Sequence, residues 1–421
     1  MPALPSSYTS GADASRRLRF TIYALTIIMC VICYGDRAAL SVAMPRVAKE
    51  FGLSPSETGW VLSSFLWSYF FLNLPSAITL DRIGTRLVGA AAVTLWSLAM
   101  IFGSVATTVP AFIATRILLG VGESPTFALG NKVMRYWARP GERGLMMTAF
   151  ICGIPIGLAT GAIASAWLVE TFGWRSTFSI LGALGLMWSL AWLWIYPSKS
   201  ALQVSDTRDA FALISIPTLF RSRDFWGIVI PQCCGNYANF LLMSWLPTIL
   251  RDTFHLSLMQ SGLYTAYSYL GATMLSLALG KLGERSVRNA ETTAGTRRHA
   301  VSFFLAMASM LGAFPLCHSP FAAIALLIVA IACVTAGTGA NMALLADLLV
   351  ERGSLGSVTG LTLTFSNGLG IAAPVLTGYL LQATGNFHAV FYIAAFIILV
   401  GSVAVFLMPR RHIHAHRTIT S

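Results

Sequence analysis

Leu80-Asp81-Arg82-Ile83-Gly84-Thr85-Arg86 is a charged turn held between two apolar runs. The runs cover roughly 58–80 and 87–108, each long enough to cross ~30 Å of hydrocarbon as a helix. The turn therefore reads as a tight connection between two membrane spans. A similar turn returns as Gly283-Glu284-Arg285-Ser286-Val287-Arg288. A second pair of turns, Gly141-Glu142-Arg143-Gly144 and Val350-Glu351-Arg352-Gly353, is separated by nearly the same distance. Two acid–Arg turns, each repeated about 200 residues on, indicate a duplicated unit.

Working outward from these turns, apolar stretches recur along the whole chain. They lie at roughly 20–44, 58–80, 87–108, 110–133, 144–168, 174–196, 225–250, 260–282, 300–317, 320–346, 355–382 and 389–408. Apolar residues make up 56% of the 421 and charged residues only 10%, against roughly 25% in a soluble domain. Pro and Gly within the runs are compatible with buried membrane helices. The expected fold is an all-α membrane protein of twelve transmembrane helices in two six-helix bundles. The expected divisions are a tail at 1–19, a bundle at 20–196, a linker at 197–224, a bundle at 225–408 and a tail at 409–421. Parallel repeats of this kind characterise secondary transporters, with substrate bound near the membrane midplane where the repeats meet.

The net charge of +12 is explained by topology. With the N-terminus placed in the cytoplasm, 22 of the 28 Lys and Arg fall on that side and 4 on the other, with Arg37 and Arg116 inside spans. This asymmetry places both termini in the cytoplasm and argues against a nucleic-acid partner. The first apolar run is too long for a signal-peptide core, and a second span follows closely, so no cleavable signal is expected. The expected location is the inner (plasma) membrane, and a monomer is expected. Cys30-x-x-Cys33 lacks the soluble strand–helix context of a redox motif and reads as buried apolar packing. His412, His414 and His416 read as part of a solvated tail. No metal or nucleophile constellation stands out, so neither enzyme activity nor a cofactor is expected.

The turns also suggest gating. An acidic side chain at a helix–turn junction is favoured opposite a neighbouring helix N-terminus. Asp81, Arg82 and Arg86 are the expected members of such a cytoplasmic latch, with Glu284 a weaker counterpart.

Four formally charged side chains sit deep in spans: Asp36, Arg37, Arg116 and Glu123. Each costs roughly 2.5–3.5 kcal/mol at a helix centre. Arg116 and Glu123 are nearly two turns apart and share a helix face, about 10 Å apart along the axis. Asp36 and Arg37 are adjacent and splay toward different neighbours. Together the four are neutral. An entering carboxylate would leave −1, which protonation of Asp36 or Glu123 cancels, so anion and proton binding would be reciprocally coupled. The same residues also read as two structural ion pairs locking the first and fourth spans. The second half offers uncharged polar groups in its spans: Asn236, Tyr237, Asn239, Tyr264, Tyr267, Asn341, Ser366 and Asn367. Such amides and phenols suit hydroxyl or carbonyl groups, or interhelical hydrogen bonds. Gly153, Gly157 and Gly161 share one face and read as close helix packing.

Residues 20–408 resemble the anion:cation symporter family within the major facilitator superfamily. The resemblance rests on Gly35-Asp36-Arg37-Ala38-Ala39-Leu40-Ser41, on Asp81-Arg82-Ile83-Gly84-Thr85-Arg86, and on Arg116-Ile117-Leu118-Leu119-Gly120-Val121-Gly122-Glu123-Ser124-Pro125. Gly141-Glu142-Arg143-Gly144 and Gly173-Trp174-Arg175 extend it. It implies symport of a small organic anion, such as a sugar acid, with protons as the coupling ion. It implies that Arg37 contacts the substrate carboxylate, that Asp36 and Glu123 take up protons, and that Arg116 controls Glu123. Tyr69 and Asn367 match family binding positions. The candidate substrate contacts are thus Arg37, Tyr69, Arg116, Asn236, Asn239, Tyr267, Asn341 and Asn367. The vesicular branch of the family carries an Arg where this chain has Gly235-Asn236, which argues against a vesicular-type carrier. Ala77 and Glu284 also depart from the superfamily turn pattern. An anion exchanger or uniporter of the same fold, or a transporter-like sensor, remains open at this level.

Overall fold

Local signals set the helix ends. Thr108 and Ser319 precede Pro-led apolar runs, and each hydroxyl accepts a bond from the backbone three residues on (Ala111 N, 3.4 Å; Ala322 N, 3.3 Å). Ser222 caps its helix in the same way through Phe225 N at 3.2 Å. Gly84 and Gly173 adopt φ of 97° and 82°, conformations L side chains rarely take, and each reverses the chain between two spans.

The computed structural model describes residues 15–139, 141–197, 216–288, 293–350 and 354–413. The helices are α1 (Arg16–Phe51), α2 (Pro55–Ile83), α3 (Thr85–Val105), α4 (Val109–Glu123), α5 (Thr126–Trp137) and α6 (Arg143–Ile195). They continue with α7 (Ile216–Arg221), α8 (Arg223–Phe254), α9 (Leu258–Arg288), α10 (Thr293–Ala308), α11 (Pro320–Leu348), α12 (Leu355–Thr384) and α13 (His388–Leu407).

All twelve expected spans fall on helices, with three refinements. The span expected at 110–133 is two helices, α4 and α5, broken at Ser124-Pro125 because proline cannot donate to the helical ladder. The fifth and sixth spans form one run, α6, which turns at Gly173. The ninth is α10 followed by a tighter 3-10 segment, Ser309–Leu316. By length and composition, seven runs among the described residues are apolar enough to cross a bilayer: α1, α2, α3, α6, Ala294–Leu316, α11 and α13. The polar residues of α8, α9 and α12, and the break in α4–α5, leave those spans less apolar.

The chain divides into two compact units: Met1–Ala43 with Ser64–Ser205, and Met44–Ser63 with Asp206–Ser421. The α1–α2 corner belongs to the second unit. There Gly59 and Gly378 allow backbone contact with Pro374 and Pro55, and Trp60 Nε1 donates to Tyr379 Oη at 3.3 Å. Most of the linker, together with Glu351, Arg352 and Gly353, lies outside the described residues.

Glycines bring the site-bearing helices together in the first unit. A Cβ on Gly161 would lie 2.5 Å from Gly35 Cα, and one on Gly157 would lie 2.6 Å from Val31 O, so α6 presses backbone to backbone on α1. Gly120 gives α4 the same access to Phe65 O on α2. Replacing Gly161 by leucine is expected to force α1 from α6 and cost about 1–3 kcal/mol. A lowered melting temperature of the purified protein would register this, and an unchanged one would show that the contact is dispensable.

Within the expected tail, Arg410, Arg411 and His412 are exposed, but the backbone of residues 410–413 is held in place. Asp224 Oδ1 accepts from the backbone N–H of Arg410 (2.6 Å) and Arg411 (2.9 Å). Ile413 is fully buried and pairs with Leu349 in an isolated parallel bridge. An acceptor at the start of α8 and one apolar side chain dock residues 409–413. His414, His416 and Arg417 lie outside the described residues.

Candidate functional site

Four buried charges lie together in the first unit, but they do not form two pairs. Arg37 on α1 reaches Glu123 at the end of α4. Its Nε and Nη2 both donate to Glu123 Oε2, at 2.8 and 2.7 Å. Glu123 is fully enclosed, and its second oxygen has no hydrogen-bond partner. Asp36, 2% exposed, has no partner on either oxygen. Adjacent residues on a helix splay by about 100°, which explains why Arg37 meets Glu123 and Asp36 does not.

The guanidinium of Arg37 sits in an aromatic cage. Its Cζ lies 4.6 Å from the ring centre of Tyr34, 5.1 Å from Phe65 and 4.9 Å from Tyr69. Ring faces stabilise a desolvated cation and hold the planar head in one orientation. Tyr69 was expected in the site; Tyr34 and Phe65 were not. Their signal in the sequence is weak, since aromatic residues are common in apolar spans.

Arg116 takes a different position from the one expected of a substrate contact. It is 1% exposed, with Nη2 donating to Ala99 O (3.3 Å) and Nη1 to Met100 Sδ (3.4 Å). Its head packs on Phe112 and Phe178, each 5.0 Å away. Gly103 leaves the slot that the guanidinium fills. Nearly two turns along α4 from Glu123, Arg116 lies level with this slot beside α3, and these contacts hold its head there. It is a fixed buried positive charge rather than an accessible ligand group.

The polar residues of the second unit separate into an accessible cluster and a structural tie. Asn236 Nδ2 donates to Ser366 Oγ and Asn367 Oδ1, both at 3.0 Å, joining α8 and α12. Asn239 is half-buried, one turn along the same helix. Asn341 is 1% exposed and donates to Ile228 O (2.9 Å) and Gln232 Oε1 (3.1 Å). Its Nδ2 thus ties α11 to α8, while its Oδ1 is buried without a partner among the described residues. Tyr267 is 52% exposed on α9, its ring centre 6.4 Å from that of Tyr264. Tyr237 is enclosed with an unpartnered hydroxyl.

The acidic residues of the charged turns meet basic side chains. Asp81 meets Lys132 Nζ at 2.7 Å, tying α2 to α5. Arg86 donates to Leu193 O on α6 at 2.5 Å, while Arg82 is exposed. Glu142 pairs with Arg19 at 3.0 Å. Arg297 bridges Glu284 and Asp347, at 2.9 Å to each. Each of these ion pairs is a charge-assisted contact between a carboxylate and a cation. Lys132, Arg19 and Arg297, which sequence reasoning counted only as topology markers, are the partners it missed.

The chain is 30% identical to the uncharacterized transporter YybO of Bacillus subtilis (strain 168), over 91% of this chain and 92% of that protein. It is 27% identical to the D-galactonate transporter of Escherichia coli O6:H1, over 95% of this chain and 97% of that protein. Among solved structures, a bacterial homolog of the human lysosomal transporter Spinster superposes with a TM-score of 0.76 at 15% identity, covering 94% of this chain and 97% of that one. That likeness concerns the fold. Residues 26–373 match the model of the Major Facilitator Superfamily. A multi-pass helical chain in two units, with charged turns between its spans and a match over most of its length, belongs to the Major Facilitator Superfamily of membrane transporters.

Proposed function

We propose that this protein is a proton-coupled symporter that imports a small organic anion, such as a sugar acid or another carboxylate. The observation that carries the reading is the buried Arg37–Glu123 pair in its aromatic cage, beside an unpartnered Asp36. Arg37 has one guanidinium for two carboxylates, that of Glu123 and that of the substrate. Protonating Glu123 removes its charge, releases Nε and Nη2, and lets the substrate carboxylate take its place. Net charge is then unchanged by binding one anion and one proton. Asp36 is a second proton acceptor. Arg116 supplies a fixed positive field in which ionised and protonated carboxylates are both tolerable. Asn236, Asn239 and Asn367 would meet substrate hydroxyls. Asp81, Arg82 and Arg86 serve gating. The protein acts as a monomer in the bacterial inner membrane with both termini in the cytoplasm, and needs protons but no bound cofactor. The names of its relatives make galactonate the first substrate to test.

Uptake of labelled galactonate and a panel of related sugar acids into proteoliposomes is expected to be driven by an inward proton gradient. It should collapse with a protonophore. Uptake unchanged after the gradient is dissipated, with counterflow intact, would mean exchange or uniport instead.

A further inference from the structure

A groove of about 360 Å³ opens on the first unit between α2, α3 and the α4–α5 break. On α2 its wall runs from Leu72 through Thr79 to Ile83. These eleven residue steps span about 16 Å of helix, the depth of one leaflet of a ~30 Å hydrocarbon core. Leu87 and Ala91 on α3 and Val121 on α4 complete it. The hydroxyls within it are already satisfied: Thr79 donates to Pro75 O (2.9 Å), Ser76 to Asn73 O (2.9 Å) and Ser124 to Val121 O (2.8 Å). The groove therefore offers apolar surface along its whole length.

Its Ile83–Leu87 end is charged. Asp81 and Lys132 neutralise each other there at 2.7 Å, fixing α2 against α5. Two further guanidinium groups follow closely on the same helices. Arg82 precedes Ile83, and Arg135 lies one turn beyond Lys132. Both are exposed, and neither has an ion pair or side-chain hydrogen bond among the described residues.

We propose that this groove is a binding site for one anionic phospholipid of the surrounding bilayer. An acyl chain lies along α2 from Ile83 to Leu72, and the phosphate meets Arg82 and Arg135. The match is in length, in apolarity and in charge: an apolar channel about one leaflet deep, with exposed Arg82 and Arg135 on the two helices that Asp81 and Lys132 tie together near its Ile83 end. Basic groups at the membrane boundary of a helical protein select anionic headgroups, and each methylene buried in the groove adds to the affinity. A lipid seated here touches the helix that carries Asp81 and so braces the α2–α5 contact. The site is independent of which anion the protein transports.

The test uses delipidated full-length protein in mild detergent, titrated with phosphatidylglycerol or with phosphatidylcholine of identical acyl chains. Native mass spectrometry reads bound lipid, and thermal unfolding reads stabilisation. One retained phosphatidylglycerol and a raised melting temperature are expected, with neither effect from phosphatidylcholine. Ala91→Trp, which fills the groove, and the double change Arg82→Gln with Arg135→Gln should each abolish retention. Equal retention of both lipids would reduce the site to general solvation by the bilayer and overturn the proposal. So would undiminished phosphatidylglycerol retention in the double-arginine variant, whose changes are at exposed positions and which serves if the tryptophan variant does not fold.

Discussion

Replacing Arg37 by lysine is expected to weaken substrate binding by about 30-fold or more, and replacing it by alanine should abolish binding. The geometry gives the reason. Arg37 uses both Nε and Nη2 on one carboxylate oxygen while its planar head lies against Tyr34, Phe65 and Tyr69. A lysine ammonium has neither the fork nor the plane. It could satisfy Glu123 as a point charge but could not hold a substrate carboxylate in a fixed orientation within the cage. Isothermal titration with the transported anion, beside thermal unfolding of each variant, separates the roles. Affinity within threefold of wild type in Arg37→Lys would show that Arg37 is a structural charge. Loss of affinity with little change in melting temperature would assign it to the substrate.

Glu123→Gln is expected to divide transport into its parts. The amide imitates the protonated acid in shape and charge, so Arg37 is released to the substrate from the start. Binding should survive and depend less on pH, because one titrating group has gone. Exchange of labelled for unlabelled anion across the membrane should continue, while accumulation driven by a proton gradient fails. A purely structural pair predicts otherwise. Arg37 would be left without its counter-charge in a dry site, and breaking a buried pair typically costs ~3–5 kcal/mol. Binding, exchange and accumulation would then fall together, with a large drop in melting temperature. Parallel exchange and accumulation assays on the purified variant distinguish the two. Intact accumulation would remove Glu123 from the proton path and leave Asp36 to carry it.

These tests differ in what they ask of the sequence. That Arg37 and Glu123 need partners was legible, because a charge in an apolar span has no other means of persisting. That they are each other's partner was not. They are 86 positions apart, and the helical periods of α1 and α4 give two facing directions without saying which helices adjoin. Arg116 shows the converse. Its spacing from Glu123 gives one shared helix face, while the slot formed by Gly103, Phe112 and Phe178 decides what its head touches. Asn341 and Asn367 look alike in sequence; the first is buried and donates to Gln232 and Ile228, while the second is half-buried and accepts from Asn236.

The sequence alone determined the helical membrane class, the approximate spans, the duplicated turns and four charged residues deep within spans. These follow from local quantities: the length of an apolar run, the cost of a charge in hydrocarbon, and the backbone freedom of Gly84 and Gly173 at the reversals. Only the tertiary structure decided the pairing of Arg37 with Glu123, the isolation of Asp36, the aromatic cage, the partners of Asp81, Glu142 and Glu284, and the docking of the chain end on Asp224. Each of these depends on which faces meet across long sequence separations. Contacts such as Gly161 on Gly35 and Gly120 on Phe65 set those meetings to within an ångström, and a span's hydropathy carries no information at that scale.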